Sequence, residues 1–332
     1  MKNLKLAAVC LSCLTMTGCS ALNFSVEGLI NAPKLTSEQS EIHQALIESV
    51  GSNITLKYPK NGEYRSAYVI ANIDDEPTDE AMVFYEYTSN GSEEDGLRVN
   101  ILDKDENGKW YSVKELAGAG TDIDQVIISP MGSNNQTDVF VGYQNLTNDE
   151  KTMEIYSYTD GDFKRVALDT YSVLEPLDIN NDGYIELITI QRSTNNDTGA
   201  VTAKASMLNM KNNEITRGEN VDMCDNVTSY VSSKTGMLDS GRRAIFIDGL
   251  TADGKLQTEI IYYRYSGLQN PMQLRSEKLL PLCTRPAGYY SEDMDGDGDV
   301  EIPSTSPMVG YENAVADEML YMTTVSYTHL RA

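Results

Sequence analysis

Two stretches of this chain set oxygen-bearing side chains at alternate positions just ahead of a glycine. In LDINNDGYIELITI, residues 177–190, Asp178, Asn180 and Asp182 alternate, Gly183 follows, and Glu186 stands ninth counting from Asp178. In EDMDGDGDVEIP, residues 292–303, Asp293, Asp295, Asp297, Gly298 and Glu301 repeat that register. Alternate side chains in a tight loop converge on one point. Oxygens at positions one, three and five, a backbone carbonyl at seven (Tyr184 or Asp299) and a carboxylate at nine make a cage for a hard cation, calcium by preference. Glycine at position six permits the turn that wraps the ion. An EF-hand would need Glu at position twelve and a helix on each side. Here that position holds Thr189 or Ser304, and a β-branched run follows Glu186. The pattern therefore predicts a calcium-binding β-hairpin loop. A metal-free turn is the alternative, since Asp, Asn and Gly are common turn residues; two copies in one register favour the ion. Asn72, Asp74, Glu76 and Glu80 keep the register too, but Pro77 replaces the glycine, so weak or no binding is expected there.

Other chemistry is limited by what is scarce. The chain has 2 His, His43 and His329, so a Ser-His-Asp triad, a Cys-His pair or a His-rich zinc site has no imidazole between residues 52 and 324. Enzymatic chemistry would have to run on carboxylates, Lys, Tyr or a hard metal. Fifty acidic residues against 26 basic give a formal charge of −24, which excludes phosphate-led nucleic-acid binding and electrostatic adhesion to anionic lipid.

The N-terminus reads as an address. Lys2 and Lys5 precede a short apolar run, residues 6–14, and then Met16-Thr17-Gly18-Cys19, which resembles a bacterial lipobox. We expect residues 1–18 to be a signal peptide, Cys19 to be lipidated, and residues 19–35 to tether the body outside the cytoplasm. Membrane contact would then be through the lipid alone. Cys10 and Cys13 leave with the signal. Cys224 and Cys283 remain, and could form a disulfide or sit as two buried free thiols.

These residues need elements to hold them. Residues 36–51 predict one short helix, capped by Thr36 or Ser37, with Ile42, Leu46, Ile47 and Val50 as its apolar stripe and Gly51 as its stop. Within it His43 reads as a surface or packing residue. From residue 52 to 324 the helical period gives way to short runs rich in Val, Ile, Tyr and Thr between Asn, Asp and Gly clusters. Self-comparison finds about five units of roughly fifty residues, each a strand, a polar turn, an apolar strand, a looser strand and a tight hairpin. That is the layout of a four-stranded antiparallel blade, and predicts an all-β propeller preceded by the helix. A β-sandwich with similar turns is the alternative. The acidic loops fall in units one, three and five; SPMGSNNQTD and TGMLDSGRR in units two and four keep a turn without the acids.

The pattern of DINNDGYIEL and DMDGDGDVEI resembles FG-GAP/VCBS-type repeats of integrin-α-like β-propellers, including lipid-anchored members from Gram-positive gut bacteria. The resemblance covers roughly residues 66–324 in layout and is specific in units three and five. It implies structural calcium and a surface location. The final run VSYTHLRA, residues 325–332, reads as translated sequencing-adapter sequence, so further strands of unit five are expected in the natural protein. The functional expectation is a lipid-anchored binding or scaffold module for an extracellular protein, peptide or glycan. Twenty Tyr against five Phe suits a surface that meets polar partners. The alternatives are a carbohydrate-active enzyme using carboxylates or metal, and an envelope assembly or sensor subunit.

Overall fold

The computed structural model describes residues 35–88, 96–130, 137–146, 150–194, 197–198, 201–211, 214–238, 241–274, 283–307 and 320–325. Cys19, the signal and most of the tether lie outside them, as do residues 326–332. The chain divides into two units, residues 1–44 and 45–332. Helix α1 is Ser37–Val50. Its start is a capping box: Thr36 Oγ1 accepts from the Gln39 amide, and Gln39 Oε1 accepts from the Thr36 amide, both at 3.1 Å. Ile42 and Leu46 are fully buried on one face, and Gly51 ends the helix at φ 85°.

After the helix the described residues are mainly strands, with one 3-10 turn at Pro271–Leu274. The first sheet holds β1 (Ile54–Leu56), β2 (Tyr68–Ala71), β3 (Glu80–Tyr87), β4 (Leu97–Lys104) and β5 (Trp110–Ala117). There β1 and β2 share one edge of β3, against Tyr85–Tyr87 and Glu80–Val83 respectively. The second sheet runs β6 (Asp122–Pro130), β7 (Thr137–Gln144), β8 (Lys151–Thr159), β9 (Asp162–Tyr171) in chain order. The third runs β10 (Val173–Leu177), β11 (Glu186–Thr194), β12 (Val201–Lys211), β13 (Glu214–Asp222). The fourth runs β14 (Val227–Leu238), β15 (Arg242–Thr251), β16 (Lys255–Arg264), β17 (Gly267–Gln269), with β18 (Thr284–Pro286) also on β16. Among the described residues the fifth is the pair β19 (Ile302–Pro307) and β20 (Leu320–Val325). All the pairings within these sheets are antiparallel. The β8–β9 hairpin turns on Asp160 and Gly161, both at positive φ, as its sequence TDGDF requires.

The sheets stack in chain order, and the apolar strands show why. Successive side chains of a strand point to opposite faces. In β15, Ala244 and Phe246 join a cluster with Val300 and Ile302 of the fifth sheet region, while Ile245 and Ile247 join Ile188 and Ile190 of the third. The first and second sheets share a cluster around Phe84, Val99, Val141 and Tyr156, and the second and third share one around Phe140, Ile155 and Leu187. A sheet covered on both faces must be apolar on alternate and intervening residues alike, hence runs such as AIFI and ELITI. Four-stranded antiparallel sheets stacked face to face in sequence are the plan of propeller blades, and this plan replaces the β-sandwich alternative.

Candidate functional site

Each acidic loop leads into an apolar strand, residues 72–80 from β2 into β3, 178–186 from β10 into β11 and 293–301 into β19, and the three share one clamp. The ninth-position glutamate accepts a hydrogen bond from the second-position amide: Ile73 to Glu80 Oε2 at 2.9 Å, Ile179 to Glu186 Oε2 at 3.1 Å, Met294 to Glu301 Oε2 at 2.8 Å. This bond ties the mouth of each loop. Burial, reinforced by neighbouring acids, pushes Glu80 and Glu186 up to about 7. The alternate acids accept from amides two residues on, as with Asp182 from Tyr184 and Asp297 from Asp299, each at 2.9 Å. The fourth and sixth positions take positive φ in loops three and five: Asn181 and Gly183 at 59° and 93°, Gly296 and Gly298 at 81° and 94°. In the first loop, Asp75 and Pro77 do not, so Pro77 changes the backbone as well as the donor set.

The two full loops differ in their fit to a cation. In the fifth, oxygens of Asp293, Asp295 and Asp297 lie within 4.8 Å of one another, all exposed. That spacing and chemistry fit a hard divalent ion, with Asp299 and Glu301 completing the sequence positions. In the third, Arg243 Nη1 lies 3.3 Å from Asp178 Oδ2 and donates to the Asp178 carbonyl at 3.2 Å. The Asn180 amide donates to Asp182 at 3.0 Å and to Glu186 at 2.8 Å. A guanidinium and an amide thus already satisfy the carboxylates of Asp178, Asp182 and Glu186, and Tyr184 stands outside that set with its ring exposed. Asn72 donates to the Glu76 carbonyl at 2.6 Å, and Asp74 accepts from the Glu76 amide, so that loop is closed on itself.

The fifth loop is anchored from below. Arg285, fully buried, donates to Asp248 at 2.8 Å, to Thr258 at 2.6 Å, to Ser291 at 3.0 Å and to the carbonyls of Cys283 and Tyr289. Asp248 also accepts the Ser291 amide at 2.7 Å. A guanidinium with its donors occupied by good acceptors is the arrangement in which a buried ion pair is tolerated. Cys224 and Cys283 are not joined in a disulfide and lie buried in the same cluster, and burial pushes the Cys283 thiol up to about 12.

A second site comes from residues the sequence did not single out. The first strands of the second, third and fourth sheets, β6, β10 and β14, face one cavity of about 510 Å³. An adjoining one of about 370 Å³ shares Lys151, Ser172, Tyr230 and Val231. Asp124, 1% exposed, accepts from Lys151 at 2.8 Å, Asn61 at 2.9 Å and Tyr171 at 2.6 Å. Burial alone would raise Asp124; Lys151 and these bonds more than offset it and hold the carboxyl below its ordinary range. Glu175 of β10 accepts from Ser233 of β14. Burial pushes Glu175 up, against the pull of Ser233 and Lys234. Gln125 donates to the Leu174 carbonyl at 2.9 Å, tying β6 to β10. Tyr171 reaches Asp124 only because Gly142 lacks a side chain: a Cβ there would collide with the Tyr171 hydroxyl. The one trace in the sequence is an acid beside the apolar run of a first strand, Asp124 ahead of VII in DIDQVII and Glu175 in VLEPL.

No protein-family model and no curated protein matches the chain. Among solved structures it is similar to a rhamnogalacturonan lyase of Bacillus licheniformis, at 10% identity and TM-score 0.37, covering 82% of this chain and 66% of the lyase. A Lactobacillus plantarum protein aligns at 13% identity and TM-score 0.35, covering 82% of this chain and 81% of its own. A periplasmic gluconolactonase of Pseudomonas aeruginosa aligns at 10% identity and TM-score 0.29, covering 82% and 89%. This chain therefore spans just under two thirds of the lyase. The propeller plan rests on the sheets themselves, not on these likenesses.

Proposed function

We propose that this chain is an extracytoplasmic binding module, held to the membrane by lipid on Cys19, with calcium as a structural ion in its acidic loops and its ligand site where the first strands converge. The observation that carries the reading is the cavity itself: three successive blades give their first strands to it, and its most buried carboxylate, Asp124, is already paired with Lys151. Ligand sites are typically concave, with a few fixed polar groups, in a volume of roughly 300–1,000 Å³. The calcium goes first to Asp293, Asp295 and Asp297, whose oxygens converge; the resemblance to FG-GAP/VCBS-type repeats supports the same placement. At the third loop an ion would have to displace Arg243 from Asp178.

A carbohydrate-active enzyme is the second reading, favoured by two carboxylates of opposite tendency in one cavity. Asp124 argues against it. Its oxygens accept three strong donors, so it positions Lys151 and Tyr171 and has little capacity left to act as a base. An assembly or sensor subunit would use the same cavity as a docking point, and no separate feature favours it.

An array of peptides and glycans, probed with calcium-loaded wild type and with Ser233→Trp, tests the reading. Wild type should mark a defined subset, and the variant should lose it. Equal marking by both would remove the cavity from the account. Metabolic labelling with a fatty-acid analogue, lost in Cys19→Ala, tests the anchor; equal labelling of the variant would remove it.

A further inference from the structure

Resting on that binding reading, we propose that the first-strand cavity takes a neutral saccharide. Charge comes first. The ionisable residues lining the larger cavity are Glu63, Arg65, Asp124, Lys151, Glu175 and Lys234, three of each sign. The chain as a whole carries 50 acids to 26 bases, so this wall departs from its surroundings toward balance. Glu63, Arg65 and Lys234 are exposed, but Asp124 is buried against Lys151, and a charged ligand would set a further charge beside that pair at a desolvation cost. A neutral ligand leaves the Asp124–Lys151 pair intact.

The bonds within the wall also set what the ligand must offer. Lys151 has three donors and gives one to Asp124 at 2.8 Å. Glu175 has two oxygens and accepts from Ser233. Gln125 gives its amide N–H to the Leu174 carbonyl, leaving its oxygen as an acceptor. Donors and acceptors are thus interspersed. Sugar hydroxyls both donate and accept, so they suit such a wall without any one group having to change protonation. Tyr64 and Tyr230, both half-buried, are also among the lining residues, and each packs against a core cluster behind the wall. The adjoining cavity, which shares Tyr230 and Lys151, gives length for more than one sugar unit. A peptide laid along a strand edge fits less well, because the Gln125 bond already occupies a β10 carbonyl between β6 and β10.

The test is saturation-transfer NMR of the calcium-loaded mature chain with defined probes. These are neutral trisaccharides of glucose, xylose, mannose and galactose, trigalacturonic acid, and the peptides trialanine and trilysine. At least one neutral trisaccharide should give transfer, and the charged probes and peptides should not. Glu175→Gln should weaken that binding by about tenfold, the loss of one charge-assisted hydrogen bond. Exposed Lys234→Glu should weaken it without altering the far-ultraviolet spectrum, and Ser233→Trp should abolish it. Transfer to trigalacturonic acid alone, lost in Ser233→Trp, would overturn the neutrality of the ligand, and transfer to a peptide alone would overturn the saccharide, each leaving the cavity as a binding site. Transfer unchanged in Ser233→Trp would overturn both. No transfer to any neutral trisaccharide would overturn the proposal.

Discussion

Single residues here carry charge into places that penalise it. Glu259 is fully buried; its Oε2 accepts from the Cys224 amide at 2.8 Å and from Asn270 at 2.7 Å, while Oε1 has no hydrogen-bond partner among the described residues. Burial raises its pKa, and the groups facing it, Cys224, Asn270 and Tyr230, add no cation. The folded chain then holds the Glu259 proton more tightly than the unfolded chain does. Its contribution to stability is full below the ordinary glutamate range and is lost as pH rises through the raised value. Gln at this position keeps an acceptor for Cys224 and Asn270 and never ionises. Urea midpoints of wild type and Glu259→Gln should therefore differ more, in the variant's favour, at about pH 8 than at about pH 5. An equal difference at both would show that Glu259 does not change its charge in this interval. Nothing in the local run LQTEIIYYR announces this residue, because its partners come from elements 11 and 35 residues away.

At the scale of elements, the legible parts were those set by short-range chemistry. The Thr36–Gln39 cap, the Asp160–Gly161 turn and the nine-residue acid register each depend on neighbours a few positions apart. The apolar runs of the second strands also told their own story, since only a sheet covered on both faces needs them. What escaped the sequence is how one element braces another. Arg285 lies in a three-residue strand, β18, yet joins β15, β16 and the approach to the fifth acidic loop through Asp248, Thr258 and Ser291. These contacts span 6 to 37 residues, with no periodicity to mark them. Arg285→Met should cost about 3–5 kcal/mol in urea unfolding, because it strands the Asp248 carboxylate in the interior. The same variant should show a smaller calcium response, since Ser291 no longer fixes the start of the loop. A loss below about 1 kcal/mol, the level of an exposed ion pair, would refute the bracing role.

For the whole molecule, sequential sheet stacking puts two kinds of site at two places: acidic loops at the turns that lead into β3, β11 and β19, and a balanced polar cavity at β6, β10 and β14. The fold class was readable from repeat length and strand alternation. The cavity was not, because Asp124, Glu175 and Ser233 meet only once three blades are stacked. We propose that a cation completes this arrangement, chiefly at Asp293, Asp295 and Asp297, whose oxygens converge. Empty, those carboxylates repel one another; an ion bound only by the folded loop stabilises the fold by about 2.7 kcal/mol at a hundredfold excess over its dissociation constant. Thermal unfolding of the mature chain in chelator and in millimolar calcium, with Asp293→Asn and Asp178→Asn alongside, reads this directly. Calcium should raise the wild-type midpoint by a few degrees. Asp293→Asn should lose most of that rise, and Asp178→Asn less. A wild-type midpoint that is the same in calcium and in chelator would contradict the account, and leave the acidic loops as turns.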